Sequence, residues 1–293
     1  MDRKKTGEIM TPDKFAALWL SHSSIGDFLD CPRAYYLANV YKNPRTGKKI
    51  SIINPPLALG QAVHNTIDHL SNLSVAARFK EPIETVFEKS WSKISGEKGG
   101  FKSETEESEY KQRGSEMIAV LANNPGPVKK KAIKLKEMVP YYWFSEEENL
   151  ILCGKIDWIE YLEATDSVHI IDFKTGRREE KEDSLQFPIY LLLAKHCQSR
   201  GVSKMSYWYL GRSETLHEVS LPDEKASVDK IMKIGLRIKL AKQLNHFKCG
   251  RDEQNGCFAC APLELVVKGK GKFVGINEMN KETYILTESA TSL

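Results

Sequence analysis

No run of this sequence is apolar for long enough to cross a bilayer. The longest stretches, such as residues 189–194, fall far short of the roughly 20 residues a membrane helix needs. No apolar signal core follows the opening Met1-Asp2-Arg3-Lys4-Lys5, so the expected location is the cytoplasm, with no membrane partner. Cysteine is scarce, six among 293 residues, and outside a secretory context that count argues against a disulfide framework. Neither sign of charge dominates. A net charge of +4 is compatible with a polyanionic partner and too small to demonstrate one. Internal repeats and low-complexity tracts are missing as well. What remains is an ordinary globular balance, 41% hydrophobic and 28% charged, in a chain long enough to enclose a sizeable core.

The periodicities alternate between helix and strand. Residues 1–19 carry no pattern and read as a mobile N-terminus. A helix start follows, capped by Ser23 or Ser24, with Ile25, Phe28 and Leu29 as its apolar face, and Pro32 opens a second short helix. Residues 42–56 read as a basic loop, and a helix beginning near Leu57 carries Gly60, Val63, His64 and Ile67. A charged helical insertion, about residues 75–128, breaks at Gly99-Gly100. Strands are expected at 133–144, 150–161 and 168–174, then a helix over 184–198 and a hairpin of 205–210 with 216–221. A long amphipathic helix over 224–246 and a last strand at 282–286 complete the reading.

The chemistry concentrates between Gly154 and Tyr190. Gly154-Lys155-Ile156-Asp157 and Ile170-Ile171-Asp172-Phe173-Lys174-Thr175-Gly176 set two carboxylates and an ammonium at the ends of two β-branched runs. Carboxylates on apolar strands need a partner, because an unpaired buried charge is costly. A hard divalent cation bound through oxygen lets both stay ionised. Lys174 is two residues from Asp172 and shares its strand face, where an ammonium can neutralise charge developing on a phosphate. The alternative is an amphipathic strand with a surface ion pair. Gln186 and Tyr190 lie four apart on one helix face and are polar tips in an otherwise apolar helix, placed to point back at the lysine. Glu137, on the strand expected before Asp157, is a further candidate carboxylate. Metal-assisted phosphodiester hydrolysis requires this combination of groups.

The ordered set Gly60-x-x-x-His64, Gly154-x-x-Asp157, Ile171-Asp172-Phe173-Lys174-Thr175-Gly176 and Gln186-x-x-x-Tyr190 resembles the RecB-like branch of the PD-(D/E)XK nuclease superfamily. The opening Leu20-Ser-x-Ser-Ser-Ile-x-x-Phe-Leu-x-Cys31-Pro-Arg-x-Tyr-Tyr-Leu resembles that branch too, and the likeness covers about residues 20–262. It implies an α/β restriction-endonuclease-like core, a mixed central sheet flanked by helices. A helical insertion, a cysteine-cluster region joining the termini and a tail over 263–293 would complete the chain. It also implies that His64, Asp157, Asp172 and the main-chain carbonyl of Phe173 bind Mg²⁺ or Mn²⁺. Lys174 would orient the attacking water and stabilise the developing charge, and Gln186 and Tyr190 would position the lysine and the DNA.

Cys249, Cys257 and Cys260 form Cys-x7-Cys-x2-Cys, and Cys31 precedes Pro32 near the start. Thiolates in such a set suit zinc or an iron–sulfur cluster. Within the RecB-like branch, AddB-type helicase–nucleases and CRISPR-associated RecB-like exonucleases carry a 4Fe-4S cluster on one N-terminal and three C-terminal cysteines. The resemblance therefore implies that cluster here, with zinc as the alternative. The spacing departs from the branch's usual pattern, since no cysteine follows Cys260. Cys153 and Cys197 are expected in the core.

Basic residues at Lys129-Lys130-Lys131, Lys134, Lys136, 42–49 and 268–272 are candidates for a phosphate groove or for ordinary solvated charge. Tyr141-Tyr142-Trp143-Phe144 and Tyr207-Trp208-Tyr209 suit base stacking or, more often, core packing. Neither a base-reading motif nor a Gly-x4-Gly-Lys-Ser/Thr loop occurs, so sequence-specific cutting and unwinding are not expected of this chain alone. The expected activity is that of a metal-dependent DNA nuclease, an exonuclease on single-stranded DNA or duplex ends. It would serve recombination, repair, phage DNA processing or CRISPR adaptation, with a helicase or CRISPR integrase as partner. The rival is a non-catalytic DNA-end-binding or structural subunit of such a complex, against which the intact Asp157, Asp172 and Lys174 argue.

Overall fold

The structure is a computed structural model that describes residues 13–286. Most of the segment expected to be mobile, residues 1–12, lies outside the described residues. The chain then forms β1 (Leu18–Leu20), α1 (His22–Asp30), α2 (Pro32–Tyr35), β2 (Ile50–Ile52), α3 (Pro55–Ser71), α4 (Ile83–Trp91) and α5 (Glu104–Asn123). Its second half holds β3 (Tyr141–Ser145), β4 (Leu150–Cys153), β5 (Trp158–Leu162), β6 (Ser167–Lys174), α6 (Gln186–Cys197), β7 (Gly201–Tyr209) and β8 (His217–Val219). It closes with α7 (Glu224–Gln243), α8 (Ala261–Val267), β9 (Gly271–Ile276) and β10 (Glu282–Leu286).

The helix starts follow capping chemistry. Ser21, rather than Ser23 or Ser24, caps α1: its hydroxyl accepts from the Ser24 N–H while Ser24 Oγ accepts from the Ser21 N–H. Asn54 caps α3, where Pro55 occupies the first helical position that needs no N–H. Ser103 caps α5, and Glu104, Glu106 and Glu107 add negative charge at the positive end of its dipole.

A mixed four-stranded sheet, ordered β5-β6-β7-β8, lies at the centre. β6 pairs antiparallel with β5 and parallel with β7, the latter through the α6 crossover. Seven of the eight residues of β6 are buried, so helices must cover both faces of this sheet. On one face Ile170 packs with Leu185, Phe187, Met205 and Tyr207 and with Ile231, Ile234 and Ile238 of α7. On the other, Ile171 and Phe173 pack with Trp158, Trp208 and the apolar faces of α3, α4 and α5. The helical insertion thus supplies one of the two covering layers. A buried polar ladder crosses three strands of this sheet. His169 Nδ1 meets Glu160 Oε2 at 2.9 Å, and His169 Nε2 meets Ser206 Oγ at 2.8 Å. Such a ladder works in one register only.

Two smaller sheets flank this core. β1 runs parallel to β4, and β4 pairs antiparallel with β3. β10 runs parallel to β2 and antiparallel to β9. The described part of the segment expected as a tail, residues 263–286, therefore closes on a strand from the start of the chain. The fold is α/β, a mixed sheet flanked by helices, with a helical insertion and a cysteine cluster that joins the two ends of the chain.

Two strand expectations need correction. Residues 133–140 form a loop, preceded by an isolated bridge from Ala132 to Glu160, and the strand starts only at Tyr141. Pro140, which has no N–H to give a ladder, sits at that start. The expected 150–161 strand breaks at residues 154–157 into β4 and β5, which belong to different sheets. Asp157 is therefore not in mid-strand but in the break. Cys153 and Cys197 are half-buried rather than core residues.

Candidate active site

The break that frees Asp157 passes close to α6. A Cβ on Gly154 would stand 3.1 Å from Leu193 Cδ1, so glycine spares that side chain a shift where the connection crosses the helix. Beyond it, Asp157 Oδ2 accepts the main-chain N–H of Phe173 at 3.0 Å, and Oδ1 stands 3.3 Å from His64 Nδ1. α3 brings His64 there by its own close approach: a Cβ on Gly60, one turn earlier, would stand 3.3 Å from Thr175 Oγ1 at the end of β6.

A second group of contacts joins on through β6. Alternation along that strand turns Phe173 into the helical layer and leaves Asp172 and Lys174 on the α6 side. Lys174 Nζ stands 3.1 Å from Asp172 Oδ2 and donates to Gln186 Oε1 at 2.5 Å. Gln186 Nε2 donates to Asp172 Oδ1 at 2.6 Å and to the Tyr190 hydroxyl at 3.1 Å, and that hydroxyl donates to Asp172 Oδ1 at 3.4 Å. Asp172, Lys174, Gln186 and Tyr190 therefore form one network. His64, Asp157 and the Phe173 main chain form a second, and the strand Asp172-Phe173-Lys174 joins them.

The electrostatics are those of crowded carboxylates. Burial, and then the Asp157 charge, push the Asp172 carboxyl up to about 7. Burial opposes charging His64, but Asp157 outweighs it and raises the imidazole to about 8. For Asp157 burial works upward, yet His64 and the Phe173 N–H hold it below the usual carboxylate range. Lys174 is held above its ordinary value, because Asp172 and Glu180 outweigh its burial.

Several participants escaped the sequence reading. Glu180, in the loop after β6, pairs with Lys174 at 2.7 Å. It stands in the run Arg177-Arg178-Glu179-Glu180-Lys181-Glu182-Asp183, where nothing marks one acid from the next. His22 of α1 lies close enough to feel both Glu180 and Lys174, and burial lowers its pKa. Asp68, one turn from His64 on α3, forms an ion pair with Lys155. Glu137 stands on the exposed loop before β3 and lines a cleft of about 440 Å³ with Asp157, Lys155, Lys134 and Lys136. A second pocket of about 290 Å³ reaches Thr175 and Gly176 and carries Arg113, Arg177 and Arg212.

Several of the other basic and aromatic candidates have structural partners. Lys130 pairs with Glu160, and Lys272 with Glu97. Tyr207 stacks on Phe187, and Tyr142 on His196. The four expected cysteines, by contrast, do meet. The sulfurs of Cys31, Cys249, Cys257 and Cys260 all lie within 4.8 Å of one another, buried beneath Ala34 and Leu37. Main-chain N–H groups of Asp252 and Arg251 aimed at Cys249 draw its thiol down to about 6.

The model of the PD-(D/E)XK nuclease superfamily matches residues 19–262. A crystal structure of a candidate exonuclease from Eubacterium rectale is similar at 12% identity and a TM-score of 0.48, with 89% of this chain and 92% of that one covered. No curated protein matches the sequence.

Proposed function

Because the chain belongs to the PD-(D/E)XK nuclease superfamily, we propose that it is a RecB-like, Mg²⁺- or Mn²⁺-dependent exonuclease acting on single-stranded DNA or duplex ends. Residues 20–262 would be the nuclease domain, with 75–128 as its insertion. The observation that carries this reading is the linked contact set His64–Asp157 and Asp172–Lys174–Gln186–Tyr190 on a broken strand pair.

The donor set fits a hard cation. Asp172 Oδ2 is buried and accepts no well-aligned hydrogen bond, although the Lys174 ammonium is nearby. A carboxylate that burial and a neighbouring acid push toward neutrality regains its charge beside a cation. Asp157, Asp172, His64 and the Phe173 carbonyl would hold it, and once bound it supplies charge neutralisation and a lowered pKa for water.

The remaining work falls to the chain. Lys174 holds its proton and presents an ammonium to the phosphate, where positive charge counts most as negative charge develops. Gln186 fixes that ammonium through Oε1 and fixes Asp172 through Nε2, so one amide sets the distance between the two. Tyr190 closes the apolar side of the network. Lys134, Lys136 and Lys155 would guide the backbone along the cleft beside Asp157. A helicase or CRISPR integrase partner would supply whatever unwinding or integration the pathway needs.

The test is digestion of end-labelled single- and double-stranded DNA with Mg²⁺ or Mn²⁺. Lys174→Ala is expected to lose about 10²–10³-fold in rate, the loss typical of removing one group that stabilises developing charge. DNA binding should remain. Undiminished cutting by the variant refutes the assignment. A wild-type protein that binds ends but cuts with neither metal supports the non-catalytic subunit instead.

A further inference from the structure

From the cysteine clasp we infer that it holds one zinc ion rather than the four-iron cluster that the RecB-like resemblance implies. The spacing of the four sulfurs carries this inference, independently of the nuclease chemistry. Thiolates around a single tetrahedral zinc, with bonds of about 2.3 Å, stand about 3.8 Å from one another. A four-iron cubane binds each thiolate through a different iron. The separations between the irons then add to the bond lengths, and the sulfurs stand about 6 Å apart. Here all four sulfurs lie within 4.8 Å of one another, and Cys257 Sγ and Cys260 Sγ are 3.8 Å apart. The cage matches a single ion and would have to open along its edges to admit a cubane.

The surroundings hold that cage small. Gly256 adopts φ 79°, a left-handed conformation that brings the chain round just before Cys257. A Cβ there would stand 3.0 Å from Cys260 Sγ, so the absence of a side chain is what lets the turn run alongside that ligand atom. The Cys257 N–H points at Cys260 Sγ at 3.2 Å, an N–H···S contact that offsets thiolate charge. Arg33, next to Cys31 on the other side of the clasp, donates to the Glu253 carbonyl and pairs with Glu264 at 3.0 Å, tying the two arms together. Zinc rather than a single iron follows from the closed set of four thiolates with no open position, the form that structural zinc sites take.

Metal content of the full-length protein, purified anaerobically from iron-replete cells, decides the matter. The expected result is one zinc per chain, no inorganic sulfide and no absorption near about 400 nm. Replacing the ion with Co²⁺ should then give the intense visible bands of a tetrahedral four-thiolate site. Cys260→Ser should lose the zinc. Should that variant fail to fold, release of one zinc per chain from the wild type on titration with a mercurial thiol reagent replaces it. Four irons with four sulfides, a single iron, or no metal at these cysteines would each overturn the assignment. None of these readings depends on nuclease activity.

Discussion

Lys174 is engaged on every side. Asp172, Glu180 and Gln186 meet its ammonium, and the Tyr207 ring lies 5.1 Å below it. The first and third partners sit at spacings visible in the sequence, a strand alternation and a helical i, i+4 pair. Glu180 reaches the lysine only through the path of an irregular loop, which no periodicity encodes. If Glu180 steadies the ammonium against the pull of Asp172, Glu180→Ala should lower kcat about tenfold with KM little changed, the pattern of an interaction that counts in the transition state. Steady-state kinetics on a labelled oligonucleotide would show it, and a change confined to KM would point to substrate contact instead. The protonation of the metal-free site gives a second expectation. His64, raised from 6.5 to about 8, contributes pairing with Asp157 that is complete below 6.5 and lost as pH rises through about 8. Asp172 carries its proton up to about 7. A cation must displace both protons, so Mn²⁺ affinity should climb between about pH 6 and pH 9, with protons released on binding. Calorimetry in buffers of different ionisation enthalpy measures that release, and a flat affinity across the range would contradict the picture.

At the scale of elements, the site depends on two close approaches. α3 must reach the end of β6 for His64 to meet Asp157, and Gly60 permits it. Gly60→Val should push the helix off Thr175, costing about 1–3 kcal/mol of stability by overpacking. Metal affinity should fall more than that strain alone explains. Urea denaturation and Mn²⁺ titration of the same variant check both parts, and unchanged metal affinity would show that His64 does not need the approach. The helices from α1 to α7 and the strands β6, β7 and β10 were legible, because their apolar periods are strong, whereas α8 lay unrecognised in the stretch read as a tail. The break at residues 154–157 was not, since the run from Leu150 to Tyr161 keeps a strand-like pattern throughout. The close crossing of α6 over Gly154 at the break is a long-range contact, absent from any local window. The pairing of β2 with β10 is equally non-local: three residues in a basic loop become a strand only when the end of the chain returns to them.

For the whole molecule, the chain encloses its chemistry by joining distant parts. His64 comes from α3, Asp157 from the connection between two sheets, Asp172 and Lys174 from the central strand, and Gln186 from the crossover helix. The cysteine clasp and the β2–β10 pairing tie residues 31–52 to residues 249–286. Residue types and their order were enough to assemble this list from sequence; the meeting itself depends on the packing of both helical layers against one sheet. The central claim is that these scattered groups enclose one hard cation. Anomalous diffraction from crystals soaked in Mn²⁺ tests it most directly. A manganese peak bonded to Asp157, Asp172, His64 and the Phe173 carbonyl is expected, with its loss in Asp172→Asn. A peak elsewhere, or no ordered manganese at saturating metal and a pH above 8, would contradict it.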